Sequence, residues 1–275
     1  MSNVMYIEPM PQLDSEENPL ELALRLAADA PAYRPDFYRA LLDSTVFILG
    51  HSDGSYMGEK TLDTGEEVSI QNWTRADGSP VIPFFSSLHS LQKAIDEEVT
   101  YMALPAKSLF EMTRGATLML NPKLAYGKEF FPNEIEALLS YEINRLPEQR
   151  VTKKATQVLL GQPANYPEKM VDSLTLLFSK RENVKAAYLT LMHDPSNDEK
   201  PHLVVGVEAD GDIESVIREA GVVAGDTSPN GEPVDLYRVA RDEKGLSEYF
   251  LREVKPFYER RWGSKLKSFF GIGRA

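Results

Sequence analysis

The sequence predicts an α+β protein built from two small domains, and three observations carry this reading. A chain of 275 residues exceeds one typical domain. Its first half mixes helical periodicity with short β-branched runs and never settles into βαβ alternation. Its second half reads β-α-β-β-α-β, the order of a ferredoxin-like or split βαβ unit, with an extra C-terminal helix. The expected divisions are a mobile tail over 1–17, an N-terminal domain over 18–145, a linker over 146–155, a C-terminal domain over 156–262 and a basic amphipathic tail over 263–275. The linker is placed by the polar, charged run 144–155.

The first helix opens where Asn18 caps, Pro19 suits the first helical position and Glu21 completes a capping-box spacing. Leu20, Ala23, Leu24 and Ala27 share its apolar face, and Pro31 stops it. A short helix follows from Pro35. Thr45–Leu49 is β-branched and apolar, hence a buried strand. Residues 50–67, rich in Gly, Asp, Ser and Thr, read as a loop or irregular hairpin. Asp77-Gly78 is a turn dipeptide. Val81–Phe85 is a strand that Pro83 confines to a sheet edge or bends. Ser86 or Ser87 caps the next helix, whose face is Leu88, Leu91 and Ile95. A strand (100–104), a short helix (105–112), a strand (117–120), an Asn121-Pro122 turn and a helix from Pro132 complete the domain.

In the second half, strand 156–160 precedes helix 167–178, which directs Met170, Leu174, Leu177 and Phe178 inward. Strand 186–191, a polar loop from His193 to Lys200 and strand 202–207 follow. Asp212 caps a helix that Gly221 is expected to stop near Ala220. Strand 234–239 and a helix from Leu246, broken or kinked at Pro256, end the domain.

Composition narrows the chemistry. There are no cysteines, which excludes disulfides, thiolate metal sites and cysteine nucleophiles. The N-terminus lacks the basic and apolar regions of a secretory leader, and no apolar run reaches the roughly 18 residues of a membrane span. A cytoplasmic location is expected. The net charge of −12 disfavours nucleic acid. That charge is uneven: Lys255 to Ala275 holds six basic residues and one acid, so it carries +5 while the remainder carries −17.

The stretch from Asp77-Gly78 through Pro83-Phe84-Phe85-Ser86-Ser87-Leu88 to Leu91 resembles the signature of the SseB N-terminal domain. Leu109–Met112, Leu120-Asn121-Pro122 and the run from Gly127 extend the likeness. Residues 167–178, 204–212 and 256–262 are similar to the SseB C-terminal domain, so the resemblance spans about Leu20 to Trp262. It departs in the N-terminal tail and the last dozen residues. What it implies is a bacterial protein linked by family name, enhanced serine sensitivity protein B, to a serine-sensitivity phenotype. It supplies no catalytic residues.

The residues themselves assemble no catalytic set. There is no G-x-S-x-G elbow, no G-x-G-x-x-G after a strand and no P-loop. His193 and His202 flank a loop containing Asp194, Asp198 and Glu199, which would allow a zinc site if both rings met. The spacing matches no established ligand pattern, and a solvated hairpin loop is the simpler account. Asp210-Gly211-Asp212 is more simply a turn and helix cap than a calcium-loop fragment. No metal, cofactor or catalytic residue is assigned.

Two regions remain as candidate ligand or partner contacts. At Asp77, Gly78, Ser86 and Ser87, the simpler reading is a turn, a core-filling strand and a cap. The alternative is an anion held at a helix N-terminus. In the tail, Leu266, Phe269 and Phe270 share a helical face flanked by Lys265 and Lys267, after Trp262. That segment suits docking on a protein partner, self-docking on the acidic body, or weak membrane-surface contact. The function expected is a non-enzymatic protein-interaction or regulatory module with an unknown protein partner. A small-molecule-binding or catalytic role in serine or sulfur metabolism is the alternative.

Overall fold

Helix α1 (Pro19–Asp29) begins at the capping box read from the sequence. Asn18 Oδ1 accepts from Glu21 N at 2.8 Å, and Glu21 reaches back to Asn18 N at 3.4 Å. This computed structural model describes residues 17–52, 68–142, 158–195 and 200–260. The proposed linker and both proposed tails, but for residue 17, lie outside that set. The chain divides into two compact units, one drawn from Met1–Arg25 and Phe37–Ile143, the other from Leu26–Asp36 and Asn144–Ala275.

Helix α2 (Arg34–Leu42), whose residues from Phe37 onward belong to the first unit, leads to strand β1 (Thr45–Ser52). The later elements are β2 (Val68–Ile70), β3 (Trp73–Thr74), β4 (Pro80–Phe85), α3 (Leu88–Ala94), β5 (Tyr101–Pro105), α4 (Ala106–Met112), β6 (Leu118–Leu120), β7 (Lys128–Phe130) and α5 (Pro132–Glu142). The sheet runs β2-β1-β4-β6-β7, with β3 beside β4 and β5 beside β1. Only β4–β6 is parallel; the other pairs are antiparallel. Phe84, Phe110 and Phe130 are fully buried, with ring centroids 5.5–5.9 Å apart. Each contributes about 1.5–3 kcal/mol by leaving water.

Strand β4 is interior rather than at an edge, which corrects the expectation drawn from Pro83. Ile82 N donates to Thr117 O and Phe84 O accepts from Asn121 N, so these even positions bond toward β6. Pro83 therefore faces the opposite side, between the contact of Val81 with β3 and those of Phe84 and Phe85 with β1. The next β1 carbonyl there, Leu49 O, is already taken by Gln71 N. The missing proline N–H falls where no ladder bond is made.

The second unit contains β8 (Leu159–Gly161), α6 (Glu168–Ser179), β9 (Val184–His193), β10 (His202–Ala209), α7 (Ile213–Thr227), β11 (Val234–Arg238), α8 (Leu246–Glu253) and β12 (Tyr258–Glu259). The sequential order β-α-β-β-α-β matches the expectation. The ladder order, β11-β10-β9-β12 with β8 also beside β9, does not match a ferredoxin-like pairing. A split βαβ unit places another strand between its parallel pair. Here β10 and β11 are parallel and adjacent over five residue pairs, joined through α7. Leu189, Leu203, Val205 and Val207 pack in one core cluster with α6 and α7 side chains, while Tyr188 and Val204 pack with Phe250 of α8 in another.

Helix α7 runs through Gly221 to Thr227, beyond its expected stop. A helical glycine costs about 1 kcal/mol against alanine. Burial of Val223, Ala224 and Thr227 past that point outweighs it. Helix α8 ends at Glu253, before Pro256. Arg260 then ties the chain to the end of α6: Nη2 donates to Phe178 O at 3.1 Å and Arg181 O at 2.7 Å, and Nε to Val184 O at 2.9 Å. These bonds fasten the chain after α8 to the last turn of α6 and the loop into β9.

Candidate functional site

The end of β4 delivers Ser86 and Ser87 to the start of α3. Ser87 is the N-cap, its Oγ accepting from Ser90 N at 3.0 Å. Ser90, one helical turn along, lies beside both. Against these three hydroxyls stands the Glu21 carboxylate from the first turn of α1. Its Oε1 accepts from Ser90 Oγ at 2.6 Å, Ser86 Oγ at 2.7 Å and Ser87 Oγ at 2.9 Å. Buried Asn121, in the left-handed region at φ 50°, closes the far side. Its Oδ1 accepts from Ser86 N at 2.9 Å and its Nδ2 donates to Ser86 Oγ at 2.8 Å. Asn18 Nδ2 donates to Ser86 O at 3.1 Å.

The electrostatics follow from this donor set. Burial pushes the Glu21 carboxyl upward, and the Ser90, Ser86 and Ser87 donors more than reverse that, leaving it below its ordinary 4.5. A carboxylate held low is a weak base, and all three serine hydroxyls lie within hydrogen-bond distance of it. Among the described residues, the group needed to activate a serine nucleophile, a base tuned near neutrality, is not a hydrogen-bond partner of this cluster. The cluster is therefore a hydrogen-bonded tie between α1, α3 and the turn after β6. Glu21 thus stands against the three serine hydroxyls at the start of α3, while the Ser90 amide is held by the Ser87 cap.

Asp77 and Gly78 lie elsewhere. They form the turn between β3 and β4, with Gly78 at φ 83° and Asp77 Oδ1 accepting from Ser79 N and Oγ. The Ser79 hydroxyl and amide hold the Asp77 carboxyl below its ordinary value. Six residues of β4 separate this turn from Ser86, about 20 Å of extended chain. Trp262, Lys265, Leu266, Lys267, Phe269 and Phe270 lie outside the described residues. Glu21, Ser90 and Asn121 were not singled out as site residues by sequence. The only signals they give are a capping-box glutamate and a turn asparagine.

Strand periodicity separates the two histidines of the hairpin. His202 pairs with Met192 and bonds Asp235 at 3.0 Å, on the face of Val204. His193 is one residue further along β9 and so belongs to the other face. Among the described residues, no group of three or more His, Asp or Glu side chains could hold a metal ion. Asp212 caps α7 by accepting from Ser215 N at 3.0 Å. Asp210, Gly211, Asp212, Glu214 and Arg238 line an open depression of about 460 Å³.

A second polar cluster, in the second unit, was missed altogether. Arg181 donates to Asp36 at 2.7 Å and to buried Glu219 at 2.5 Å. Lys180 also donates to Asp36 and stands 3.7 Å from the centre of the Tyr33 ring. Burial pushes the Asp36 carboxyl upward, and the Lys180 and Arg181 donors outweigh it, leaving it below its ordinary value.

Comparison with known proteins covers nearly the whole chain. The SseB protein N-terminal domain matches residues 20–137 and the SseB protein C-terminal domain matches residues 152–260. Over 257 residues the chain is 42% identical to Protein SseB of Escherichia coli (strain K12), covering 94% of this chain and 98% of that protein. Protein SseB of Shigella flexneri shows the same identity and coverage. No solved structure matches. Among the described residues, no helix is long and apolar enough to cross a membrane.

Proposed function

The chain belongs to the SseB family, and from that premise we propose that it is a non-enzymatic, cytoplasmic protein-interaction or regulatory module. The observation that carries this reading is the saturation of the serine cluster. Its hydroxyls are directed to Glu21 within the fold, which leaves the cluster a structural role rather than a reactive one. Large apolar side chains stand exposed instead, among them Tyr101, Phe131, Leu159 and Tyr166. Such side chains suit contact with another protein. The basic segment after Arg260, with its lysines and phenylalanines, is the second contact element in this proposal. The serine-sensitivity phenotype attached to the family name would then reflect a regulated partner, not a reaction at this site.

The test is affinity purification from the native bacterium of the full chain and of a chain lacking 263–275. A stoichiometric protein recovered with the full chain and lost with the shortened one supports the proposal. If neither form recovers a protein, and amino acids or sulfur metabolites raise the melting temperature, the small-molecule reading replaces it.

A further inference from the structure

Among the described residues, strand β5 pairs with β1 alone and forms an outer edge of the sheet in the first unit. Gly50 N donates to Thr100 O and Ala106 N to Ser44 O, so the even-numbered positions from 100 to 106 bond to β1. In an antiparallel ladder the alternate residues point away. The N–H and C=O groups of Tyr101 and Ala103, with the carbonyl of Pro105, therefore face outward. All three residues are exposed, Tyr101 at 46%. Edges are commonly guarded by charge or kept short: β7 carries Lys128 and Glu129, β11 carries Asp235 and Arg238, and β12 carries Glu259, while the uncharged outer strands β2, β3 and β8 are only two or three residues long. Strand β5 reads YMALP, with no charge in five residues.

We propose that two copies of this chain pair through β5, antiparallel about Met102, so that two sheets become one. In this register Tyr101 of each copy stands opposite Ala103 of the other. Each of those residues donates its N–H and accepts at its carbonyl, giving four bonds in all. Pro105, which has no N–H, lies outside the exchange. The large ring of Tyr101, already against Phe47 at 6.2 Å, covers the small side chain of Ala103 across the seam. The exposed run Asp96-Glu97-Glu98 of each copy is carried toward Lys107 at the far end of the other β5, so charges at the seam's ends are opposed in sign. The register is complementary to itself, which selects a second copy over an unrelated peptide. The pairing does not depend on the interaction role proposed above.

The test is the molar mass of the full chain by light scattering after size exclusion, loaded from about 1 to about 100 μM, a range spanning firm to weak association. The wild type is expected to reach twice 30.9 kDa. Ala103→Pro removes an outward N–H that the single chain does not use, and is expected to stay at 30.9 kDa with an unchanged circular dichroism spectrum. Ala103→Lys brings two like charges across the seam and is expected to do the same; mixing it with Ala103→Glu restores the doubled mass. A wild type of single mass throughout overturns the pairing, even where another protein occupies the edge. So does a doubled mass that survives both Ala103→Pro and Ala103→Lys, or a lysine–glutamate mixture that stays single.

Discussion

Removing the Glu21 carboxylate isolates the tie between α1 and α3. In Glu21→Ala, three hydroxyl donors lose their common acceptor. A hydrogen bond to a charged group is worth about 1.5–3 kcal/mol. The full sum does not apply, because the three bonds share one oxygen and solvent reaches Glu21. Ser86 and Ser90 also keep each other at 3.2 Å, and Ser86 keeps Asn121. Glu21→Ala should therefore cost about 2–4 kcal/mol. With a urea slope of about 1–3 kcal/mol/M, the midpoint falls by about 1–2 M.

The readout is Trp73 fluorescence in a Trp262→Phe background, which leaves one of the chain's two tryptophans. Trp73 packs on Phe85, the residue before Ser86, at 6.4 Å. The pH dependence gives an independent arm. The folded Glu21 carboxyl sits below its ordinary 4.5, so its stabilisation is fully present above that pH and is lost as pH falls through the lower folded value. Glu21→Gln should narrow its deficit against wild type across that window. A Glu21→Ala midpoint within about 0.2 M of wild type, or a Glu21→Gln deficit independent of acid, would refute the argument.

The second unit offers two further tests. Arg181→Met strips buried Glu219 of its Arg181 partner and should cost about 3 kcal/mol, and adding Glu219→Gln should recover much of it; amide exchange in α6 and α7 measures both. Gly206→Ala places a methyl 2.8 Å from Val239 Cγ2 and 2.9 Å from Phe250 Cε2, so these side chains must shift. The expected cost is about 1–3 kcal/mol in chemical denaturation, relieved by Val239→Ala, and an unaffected single variant would show that the packing between β10 and α8 gives way freely.

Much of the fold was legible because it is written in local chemistry. The Asn18–Glu21 capping box, the buried TVFIL strand, the cap at Ser87 and the order of elements in the second half each depend on a few neighbouring residues. Strands β2, β3, β7 and β12 escaped because each is only two or three residues long and, unlike the Leu118–Leu120 run, none is continuously apolar. Gly221 misled because a glycine's local cost is overridden by burial that sequence does not display. Ser86 or Ser87 was expected as the cap, but the acceptor both hydroxyls share lies 65 and 66 residues away.

By itself, then, the sequence determined the family, the α+β class and the places where helices cap and chains turn. Those depend on side chains within a turn or two of each other. Only the tertiary structure decided that β11 lies against β10, that Pro83 sits in an interior strand and that Glu21 gathers three serines. Those depend on which distant segments share a face, and burial of the whole core selects that arrangement.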